Sequence, residues 1–491
     1  MIACGGSGNG NPAGTKYQLS LSLMGTGSGR VTSSPPAAID CSATCSASLD
    51  AGSSVTLTAA PAAGSDFIAW SGACSGTGMC TVSMDAAKAV SVRFSLSRVI
   101  FHSGRKTDGT DALNANGTQN IWRVNGDATG LTPLTVATAS GAGSSFPAWS
   151  PDGSKVAFRS TRKLDGTDAP NVNRTTNIWR VNADGTGLMP LTTATAVGAD
   201  ALEPQWSPDG SAVIFESGRK LDGTDAAGPN ETRNIWRVNA DGTGLRLVTN
   251  VTAALADSFG PRWSPDGTKV VFYSARKLDG TDATSPNHVF NIWRVNADGT
   301  GPTPLTTTTA TGTSSQNSQW SPDGTKIVFD SSRSLDGTDA PNTTSNIWRV
   351  NADATGLRLV TNTAAAGATN LAPQWSPDGT RVVFYSARKL DGSDAPNANG
   401  TINIWRINAD GTVLTPLTNG TASGASSFDP QWSPGGTKAV FYSARKLDGT
   451  DAANVNLTLN IWRVNADSTG LTPLTSVTSN LAHCLVASFS P

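Results

Sequence analysis

Residues 206–216 read Trp-Ser-Pro-Asp-Gly-Ser-Ala-Val-Ile-Phe-Glu, a tryptophan and a turn sequence followed by an apolar run. Pro-Asp-Gly favours a tight turn because proline fixes φ, aspartate bonds its own backbone and glycine tolerates positive φ. The Trp-Ser-Pro motif recurs, and Phe-Ser-Pro replaces it once, with the aromatic residue at Trp149, Trp206, Trp263, Trp320, Trp375, Trp432 and Phe489. Successive positions are 57 residues apart, with one step of 55. A repeat of this length indicates structural units that each contact their neighbours.

A second motif, Asn-Ile-Trp-Arg, keeps the same period, with steps of 57 residues and one step of 55. Its tryptophans are Trp122, Trp179, Trp236, Trp293, Trp348, Trp405 and Trp462. Each unit reads as four strands: one ending at Trp-Ser-Pro, an apolar run, Asn-Ile-Trp-Arg-Val-Asn, and a short Thr-Pro-Leu-Thr strand. Four-stranded units at this period favour an all-β propeller over a solenoid or a sandwich.

The two ends of the repeat region predict how this propeller closes. The region opens at residues 98–101 with a second strand, and it finishes at residues 485–489 with a first strand. Together the two fragments complete one unit, which predicts a seven-bladed β-propeller over residues 97–491 with one-plus-three clasp closure. Such a closure removes exposed sheet edges.

The Trp-Ser-Pro-Asp-Gly motif followed by an apolar strand resembles the TolB-type (WD40-like) propeller repeat over about 395 residues. The resemblance implies a propeller that contacts other proteins. The N-terminal α/β domain typical of TolB has no counterpart in this sequence, so the resemblance does not extend to a Tol–Pal role.

Residues 15–96 predict a small β domain, because residues 17–23, 54–58 and 89–94 alternate apolar and polar side chains. The order of its motifs, with Trp70-Ser71-Gly72 beside cysteines, resembles the divergent internalin-type B repeat of bacterial surface proteins. That resemblance implies an adhesion or spacer module.

Four cysteines fall inside this domain, which favours two disulfides and an oxidising compartment. Their Cys-x3-Cys and Cys-x5-Cys spacings beside Gly/Ser turns favour disulfides over a metal cluster; three pairings are open, and we expect Cys41 with Cys45 and Cys74 with Cys80. We expect the remaining Cys484 to be a small buried residue rather than a nucleophile.

Residues 1–14 resemble the start of a bacterial lipoprotein: small residues precede Cys4, and a flexible polar run follows it. Lipidation of Cys4 would place the protein in the bacterial cell envelope, periplasmic or extracellular, with the anchor as its only membrane contact. The alternative is an ordinary N-terminus with an isolated cysteine. A formal net charge of −1 argues against nucleic acid as a partner.

Because the repeats are nearly identical, the positions at which they differ are the candidate binding residues. First strands line the channel of a propeller, so we expect ligand contacts there and next to the second-strand phenylalanine. The candidates are His102, Arg159, Glu203, Gln205, Glu216, Arg262, Tyr273, Gln319, Gln374, Asp429 and Gln431. The alternative is neutral variation at solvent-facing positions.

Each repeat also carries Asp-Gly-Thr-Asp or Asp-Gly-Ser-Asp in the long loop after its second strand. The pairs are Asp108/Asp111, Asp165/Asp168, Asp222/Asp225, Asp279/Asp282, Asp336/Asp339, Asp391/Asp394 and Asp448/Asp451. These aspartates are favoured as parts of a purely structural turn, in which neighbouring arginines neutralise them. The alternative is a Ca²⁺ site, because oxygen ligands at this density suit Ca²⁺, although the spacing is not that of an EF-hand. No other cofactor is expected.

Three functions fit these features. The first is a non-enzymatic binding or scaffold protein, a monomer or part of a surface assembly, engaging a protein or polysaccharide through the long-loop face. The second is a propeller enzyme, a polysaccharide lyase or hydrolase, with its site in the central channel. Only three His and three Glu occur, and no Gly-x-Ser-x-Gly motif is present, which disfavours it. The third is a purely architectural spacer.

Overall fold

A computed structural model describes residues 14–35, 38–62 and 64–490, so the predicted lipidation site Cys4 lies outside the described residues. The chain divides into two compact units between Ser97 and Arg98. Regular structure in the described ranges consists of β-strands and short 3₁₀ turns. None of the helices found there has the length and apolarity needed to cross a membrane.

The first unit contains two four-stranded sheets, ordered β4-β1-β8-β6 and β3-β2-β5-β7. Its strands are β1 (Lys16–Met24), β2 (Gly29–Ser34), β3 (Asp40–Cys41), β4 (Cys45–Asp50), β5 (Ser54–Pro61), β6 (Ser65–Gly72), β7 (Cys80–Ser83) and β8 (Lys88–Leu96). Both sheets contribute to one core, which includes Leu19, Val31, Trp70 and Phe94. The predicted disulfides Cys41–Cys45 and Cys74–Cys80 are confirmed.

Within residues 98–490, all of which are described, the strands form seven four-stranded sheets. Sheet 1 combines β9 (Arg98–Ser103), β10 (Asn120–Asn125) and β11 (Thr132–Pro133) with the last strand, β36 (Cys484–Phe489). Sheet 2 consists of β12 (Ser144–Trp149), β13 (Lys155–Ser160), β14 (Asn177–Asn182) and β15 (Met189–Pro190). Sheet 3 consists of β16 (Ala201–Trp206), β17 (Ala212–Ser217), β18 (Asn234–Asn239) and β19 (Arg246–Leu247).

The four remaining sheets repeat the same order. Sheet 4 consists of β20 (Ser258–Trp263), β21 (Lys269–Ser274), β22 (Asn291–Asn296) and β23 (Thr303–Pro304). Sheet 5 consists of β24 (Ser315–Trp320), β25 (Lys326–Arg333), β26 (Pro341–Asn351) and β27 (Arg358–Leu359). Sheet 6 consists of β28 (Asn370–Trp375), β29 (Arg381–Ser386), β30 (Asn403–Asn408) and β31 (Thr415–Pro416). Sheet 7 consists of β32 (Ser427–Trp432), β33 (Lys438–Ser443), β34 (Asn460–Asn465) and β35 (Thr472–Pro473).

The repeated aromatic residues hold neighbouring sheets together. In sheet 3, Phe215 on the second strand pairs with Trp236 on the third, and both side chains are buried. An apolar core lies between each pair of consecutive sheets, as between sheets 1 and 2, where Ile100 and Ile121 meet Trp149 and Trp179. Because burying an aromatic side chain stabilises by about 2–3 kcal/mol, the repeat motifs account for much of the packing.

The two ends of the repeat region lie in the same sheet. Strand β36 pairs antiparallel with β9, with Cys484 opposite Ser103 and Phe489 opposite Val99. A further core joins sheet 7 to sheet 1, where Val440 and Ile461 pack with residues that include Val99 and Phe489. Sheet 7 thus contacts sheet 1 through the same kind of core that joins the consecutive sheets.

Connections at the two ends of the strands differ in length. Turns between first and second strands and between third and fourth strands are tight. Loops between second and third strands, and from a fourth strand to the next sheet, are long, and we call the end that carries them the long-loop rim. Six loops between second and third strands contain a 3₁₀ turn: Ala115–Gly117, Val172–Arg174, Pro229–Glu231, Pro286–His288, Ala398–Gly400 and Val455–Leu457. Sheet 5 has no such turn because its loop is two residues shorter, and β26 is correspondingly longer.

Candidate functional site

A cavity of about 820 Å³ lies between the first strands of the seven sheets. Every sheet contributes to its wall, and most of the lining residues belong to the first strands. A volume of this size lies within the range of known ligand sites.

Each first strand carries a β-bulge, a register shift of its pairing with the second strand, and one residue in the bulge has a left-handed backbone. In sheet 3 the shift lies between Leu202 and Gln205, and Glu203 has φ +52°. The residues at this bulge position are Phe146, Glu203, Gly260, Asn317, Ala372, Asp429 and Val486. All seven line the cavity. Bulges redirect side chains and are frequent next to functional sites. Their repetition around the cavity therefore marks its wall as a candidate functional site.

Two residues further along each first strand, a second set of side chains lines the cavity. This inner position holds Ala148, Gln205, Arg262, Gln319, Gln374, Gln431 and Ser488. The amides of Gln205, Gln319, Gln374 and Gln431 make no side-chain hydrogen bond to another described residue. We call Asn317, Gln319, Gln374 and Gln431, which lie in sheets 5 to 7, the amide arc.

Sheets 2 to 4 place charges on the opposite part of the wall and, with Arg159, next to it. We call Arg159, Glu203, Glu216, Arg233 and Arg262 the charged cluster. Arg159 Nη1 lies 3.9 Å from Glu203 Oε1. Glu216 is 4% exposed, and its Oε2 has no hydrogen-bond partner among the described residues.

Burial and the neighbouring Glu203 carboxylate raise the pKa of Glu216 to about 8. Burial also raises the pKa of Glu203, and the nearby guanidinium groups of Arg262 and Arg159 oppose that rise. Glu216 is therefore largely protonated at neutral pH, and the wall contains a carboxylic acid beside a second carboxyl group.

Three aromatic rings stand next to this cluster. Phe259, Tyr273 and Phe290 line the cavity with ring centroids 5.6 to 5.9 Å apart. The guanidinium of Arg233 lies 5.5 Å from the Phe259 ring. A Cβ atom at Gly260 would come within 2.7 Å of the Tyr273 ring, so glycine at the bulge position makes room for this ring.

The remaining acidic groups near the wall have hydrogen-bond partners. Tyr442 donates its hydroxyl to Asp429 over 2.9 Å. Asp330 accepts hydrogen bonds from Asn317 Nδ2 at 2.8 Å and from the Ala372 amide at 3.2 Å. Burial raises the pKa of Asp330 to about 7.

Two predicted binding residues, His102 and Arg159, are not in the lining. Both contact Phe146, which does line the cavity. The His102 ring stacks on the Phe146 ring with a centroid distance of 5.6 Å, and the Arg159 guanidinium lies 3.9 Å from the centroid of the Phe146 ring. Burial and the charge of Arg159 lower the pKa of His102 to about 3, so its imidazole is neutral. The structure brings the other nine predicted binding residues to the cavity wall.

The cavity wall also contains residues that our sequence analysis missed. Arg233 and Phe290 each precede an Asn-Ile-Trp-Arg motif, at a position occupied in the other sheets by Gln119, Thr176, Ser345, Ile402 and Leu459. Phe259 precedes a bulge residue, at an equally variable position. Comparison of the repeats at these two positions would have identified them.

The paired aspartates of the long loops make two kinds of contact. The first of each pair caps its own turn; Asp222, for example, accepts hydrogen bonds from the amide and hydroxyl of Thr224. The second reaches the preceding sheet: Asp225 accepts from the Thr195 amide at 2.8 Å and the Ala196 amide at 2.9 Å. Asp111 makes the same contacts with Thr478 and Ser479, across the chain ends.

Six of the seven second aspartates, all except Asp111, also interact with a buried arginine. Arg219 is 4% exposed and its guanidinium lies 5.8 Å from the Trp236 ring. Burial lowers the pKa of Arg219, and Asp225 opposes that shift, so the aspartate stabilises the buried cation. We call the contact between a second aspartate and the preceding loop an inter-sheet clamp.

In the described ranges, no group of three or more His, Cys, Asp or Glu side chains is placed to hold a metal ion. These clamp contacts agree with the structural-turn interpretation of the loops. Calcium binding by them stays a prediction.

A known domain family matches the first unit. Residues 19–98 match the divergent InlB B-repeat domain. The B-repeat resemblance deduced from the Trp70 and cysteine motifs is therefore confirmed.

The second unit has more distant relatives. An uncharacterized peptidase, YuxL of Bacillus subtilis, is 28% identical over 197 residues, which cover 35% of this chain and 27% of the relative. The chain thus spans about a quarter of the length of that curated relative. A puromycin-hydrolyzing peptidase from Mycobacterium tuberculosis has a similar structure, with TM-score 0.51 and 14% identity over 78% of this chain and 52% of that one. TolB from Acinetobacter baumannii is another structural neighbour, with TM-score 0.43 and 14% identity over 80% of this chain and 83% of that one. At these identities the similarity concerns the fold alone.

Proposed function

We propose that this chain is a non-enzymatic binding protein of the bacterial cell envelope, whose ligand occupies the central cavity and enters from the long-loop rim. In this proposal the seven sheets are the blades of a closed seven-bladed β-propeller. Strand β36 supplies the first strand of the blade that β9, β10 and β11 complete. The pairing of Phe489 with Val99 and the clamp from Asp111 to Thr478 support the one-plus-three closure.

The envelope location rests on two features of the N-terminal region. Two disulfides in one small domain are typical of oxidising compartments. Cys4 follows the small residue Ala3 and precedes a polar run, in a pattern that suits lipidation. The lipid anchor is part of the proposal.

One observation carries the binding function: the frame is constant, and the cavity wall is not. All seven repeats keep Asn-Ile-Trp-Arg, whereas the bulge position carries Phe, Glu, Gly, Asn, Ala, Asp and Val in turn. A scaffold that served spacing alone would have no reason to concentrate its differences on one cavity. Such a cavity suits a protein segment or a polysaccharide as ligand.

The test fills the cavity without altering the frame. Ala372 lines the cavity at a bulge position with φ +51°, and the equivalent position of sheet 2 already accepts Phe146. We expect Ala372→Trp to weaken ligand binding at least tenfold, measured by retention of solubilised bacterial envelope proteins and glycans on the immobilised protein.

Ala354 provides a matched control. It has φ +71° and is exposed in the tight turn between β26 and β27, outside the cavity. Ala354→Trp should retain ligand as the unmodified protein does. Two results would refute the proposed site. One is that the Ala372→Trp variant retains as much ligand as the unmodified protein; the other is that none of the three proteins retains any ligand.

A second candidate function is a propeller enzyme, a polysaccharide hydrolase or lyase, and one observation favours it. Glu216, protonated at neutral pH, and Glu203 share one cavity wall, and a protonated carboxyl beside an ionisable one is a common acid–base arrangement. An enzyme would cleave the retained glycan, and Glu216→Gln would abolish cleavage while binding persists. Retention without cleavage supports the non-enzymatic proposal.

A further inference from the structure

The apolar part of the cavity wall consists of rings and small side chains. Among the described residues that line it, the apolar side chains are aromatic rings, prolines and alanines, with Val486 as the largest aliphatic one and no Leu, Ile or Met. Peptide ligands gain specificity from pockets that enclose alternate side chains. Half-buried rings such as Phe259 and Phe290 offer instead aromatic surface against which flat, C–H-bearing rings can pack.

The polar part of the wall presents unused amides. Gln205, Gln319, Gln374 and Gln431 line the cavity, and their side chains hydrogen-bond to no other described residue. A carboxamide offers two N–H donors and one carbonyl acceptor. A hydroxyl group both donates and accepts hydrogen bonds. A ligand with several hydroxyl groups can therefore pair with the N–H donors and with the carbonyl acceptors of these carboxamides.

The charged cluster does not select an ion. The guanidinium groups that line the cavity, those of Arg233 and Arg262, are accompanied by the carboxyl groups of Glu203 and Asp429, whereas Glu216 is protonated at neutral pH. Opposite charges are therefore balanced across the wall, and the protonated carboxyl group of Glu216, which also lines the cavity, can donate a hydrogen bond. A ligand hydroxyl supplies an acceptor for it without adding a charge.

From these three features we infer that the cavity binds an uncharged carbohydrate chain, with its sugar rings against Phe259, Tyr273 and Phe290 and its hydroxyl groups on the amide arc and Glu216. This inference rests on the proposed function, because it names the ligand class of the same cavity.

The experiment compares sugars and peptides on the full chain. An array of neutral oligosaccharides, uronate oligosaccharides and peptides identifies what is retained, and calorimetry measures the affinity. We expect a neutral oligosaccharide to bind, and a Gln319→Leu/Gln374→Leu double variant to weaken it at least tenfold. Phe290→Ala should weaken it severalfold through lost stacking. Gln119→Leu, at an exposed position outside the cavity, serves as the control and should bind normally.

The outcomes separate this inference from the proposed function. A peptide or a uronate chain as the tightest ligand, blocked by Ala372→Trp, would overturn the inference and leave the cavity site standing. If neither the glutamine double variant nor Ala372→Trp weakens carbohydrate binding, both the inference and the proposed cavity site are overturned. Failure of every neutral oligosaccharide to bind would overturn the inference alone, because the envelope retention assay tests the site independently. An unchanged melting temperature of the glutamine variant keeps the comparison free of folding effects.

Discussion

At the residue scale, Glu216 is the most telling side chain in the cavity. Burial beside Glu203 raises its pKa from 4.5 to about 8, and one of its oxygens has no partner among the described residues. Keeping a carboxyl oxygen buried without a hydrogen-bond partner costs free energy. Sites of this kind are commonly functional.

Glu216 should make the stability of the protein depend on pH. Between pH 4.5 and about 8 its carboxyl group is protonated in the folded state and ionised in the unfolded state. The folded state then binds more protons, so the free energy of unfolding falls as pH rises through this window. We expect Glu216→Gln to remove a loss on the order of 2–4 kcal/mol between pH 5 and 8, measured by denaturant unfolding.

Glu231 supplies the control, because it is an exposed glutamate in a loop outside the cavity. Glu231→Gln should follow the pH profile of the unmodified protein. Parallel profiles for the Glu216→Gln variant and the unmodified protein would mean that Glu216 does not titrate in this window.

The sequence contains part of this site in readable form. Comparing equivalent positions of near-identical repeats placed Glu203, Arg262 and the glutamines on the first strands, where the structure has them. The bulge was not foreseen, because a left-handed Phe146 or Val486 carries no local signal. Gly260 was the one hint, since glycine is the residue that adopts positive φ most readily.

At the element scale, the long loops behave as connectors between sheets. Asp225 accepts two amides of the preceding loop and stands near buried Arg219, whereas Asp222 caps only its own turn and pairs with Lys220 at 3.2 Å. Spacing alone favoured a structural turn and left oxygen ligands for a cation as the alternative. The hydrogen-bond partners 30 residues away could not be read from one loop.

The two aspartates of one loop should therefore contribute unequally to stability. Asp225→Ala removes backbone hydrogen bonds to the neighbouring sheet and an interaction with a buried cation. We expect it to lower the free energy of unfolding by about 1–2 kcal/mol, measured by denaturant titration. Asp222→Ala should cost less, because its contacts are local and exposed.

The same pair of variants examines the calcium prediction. If these loops hold Ca²⁺, calcium should raise the melting temperature even at high salt, and either substitution should reduce the number of bound Ca²⁺ ions by one, because the other six loops are unchanged. If calcium does not raise the melting temperature of the unmodified protein, the inter-sheet clamp is the role that remains for these loops.

At the scale of the whole molecule, the repeats predicted the four-stranded units and their order because each motif marks one strand. The 57-residue period and the two incomplete ends also predicted that β36 would stand beside β9, as the pairing of Phe489 with Val99 has it. The cavity volume and the mutual approach of Phe259, Tyr273 and Phe290 depend on side-chain packing from several sheets. A linear pattern contains no information on such distances.

In the proposed fold, the two ends of the repeat region meet in one sheet and close the ring of sheets that encloses the cavity. Cys484 is a free, buried cysteine, and its Sγ lies 3.5 Å from the Ser103 hydroxyl on β9. Ser103→Cys should therefore form a disulfide with Cys484 that links positions 381 residues apart. The equivalent pair within sheet 2, Ser144 and Ser160, is 16 residues apart with its hydroxyls at 3.0 Å, and a double cysteine variant there is the matched control.

The decisive measurement is the free energy of unfolding of these two oxidised variants relative to the unmodified protein. A disulfide stabilises more when it closes a longer loop, so the Ser103→Cys variant should gain roughly 3 kcal/mol more than the Ser144→Cys/Ser160→Cys variant. Two results would contradict a ring closed by the two ends of the repeat region. One is that the thiol introduced by Ser103→Cys fails to pair with Cys484 under oxidising conditions that join the control pair; the other is a gain no larger than the control's.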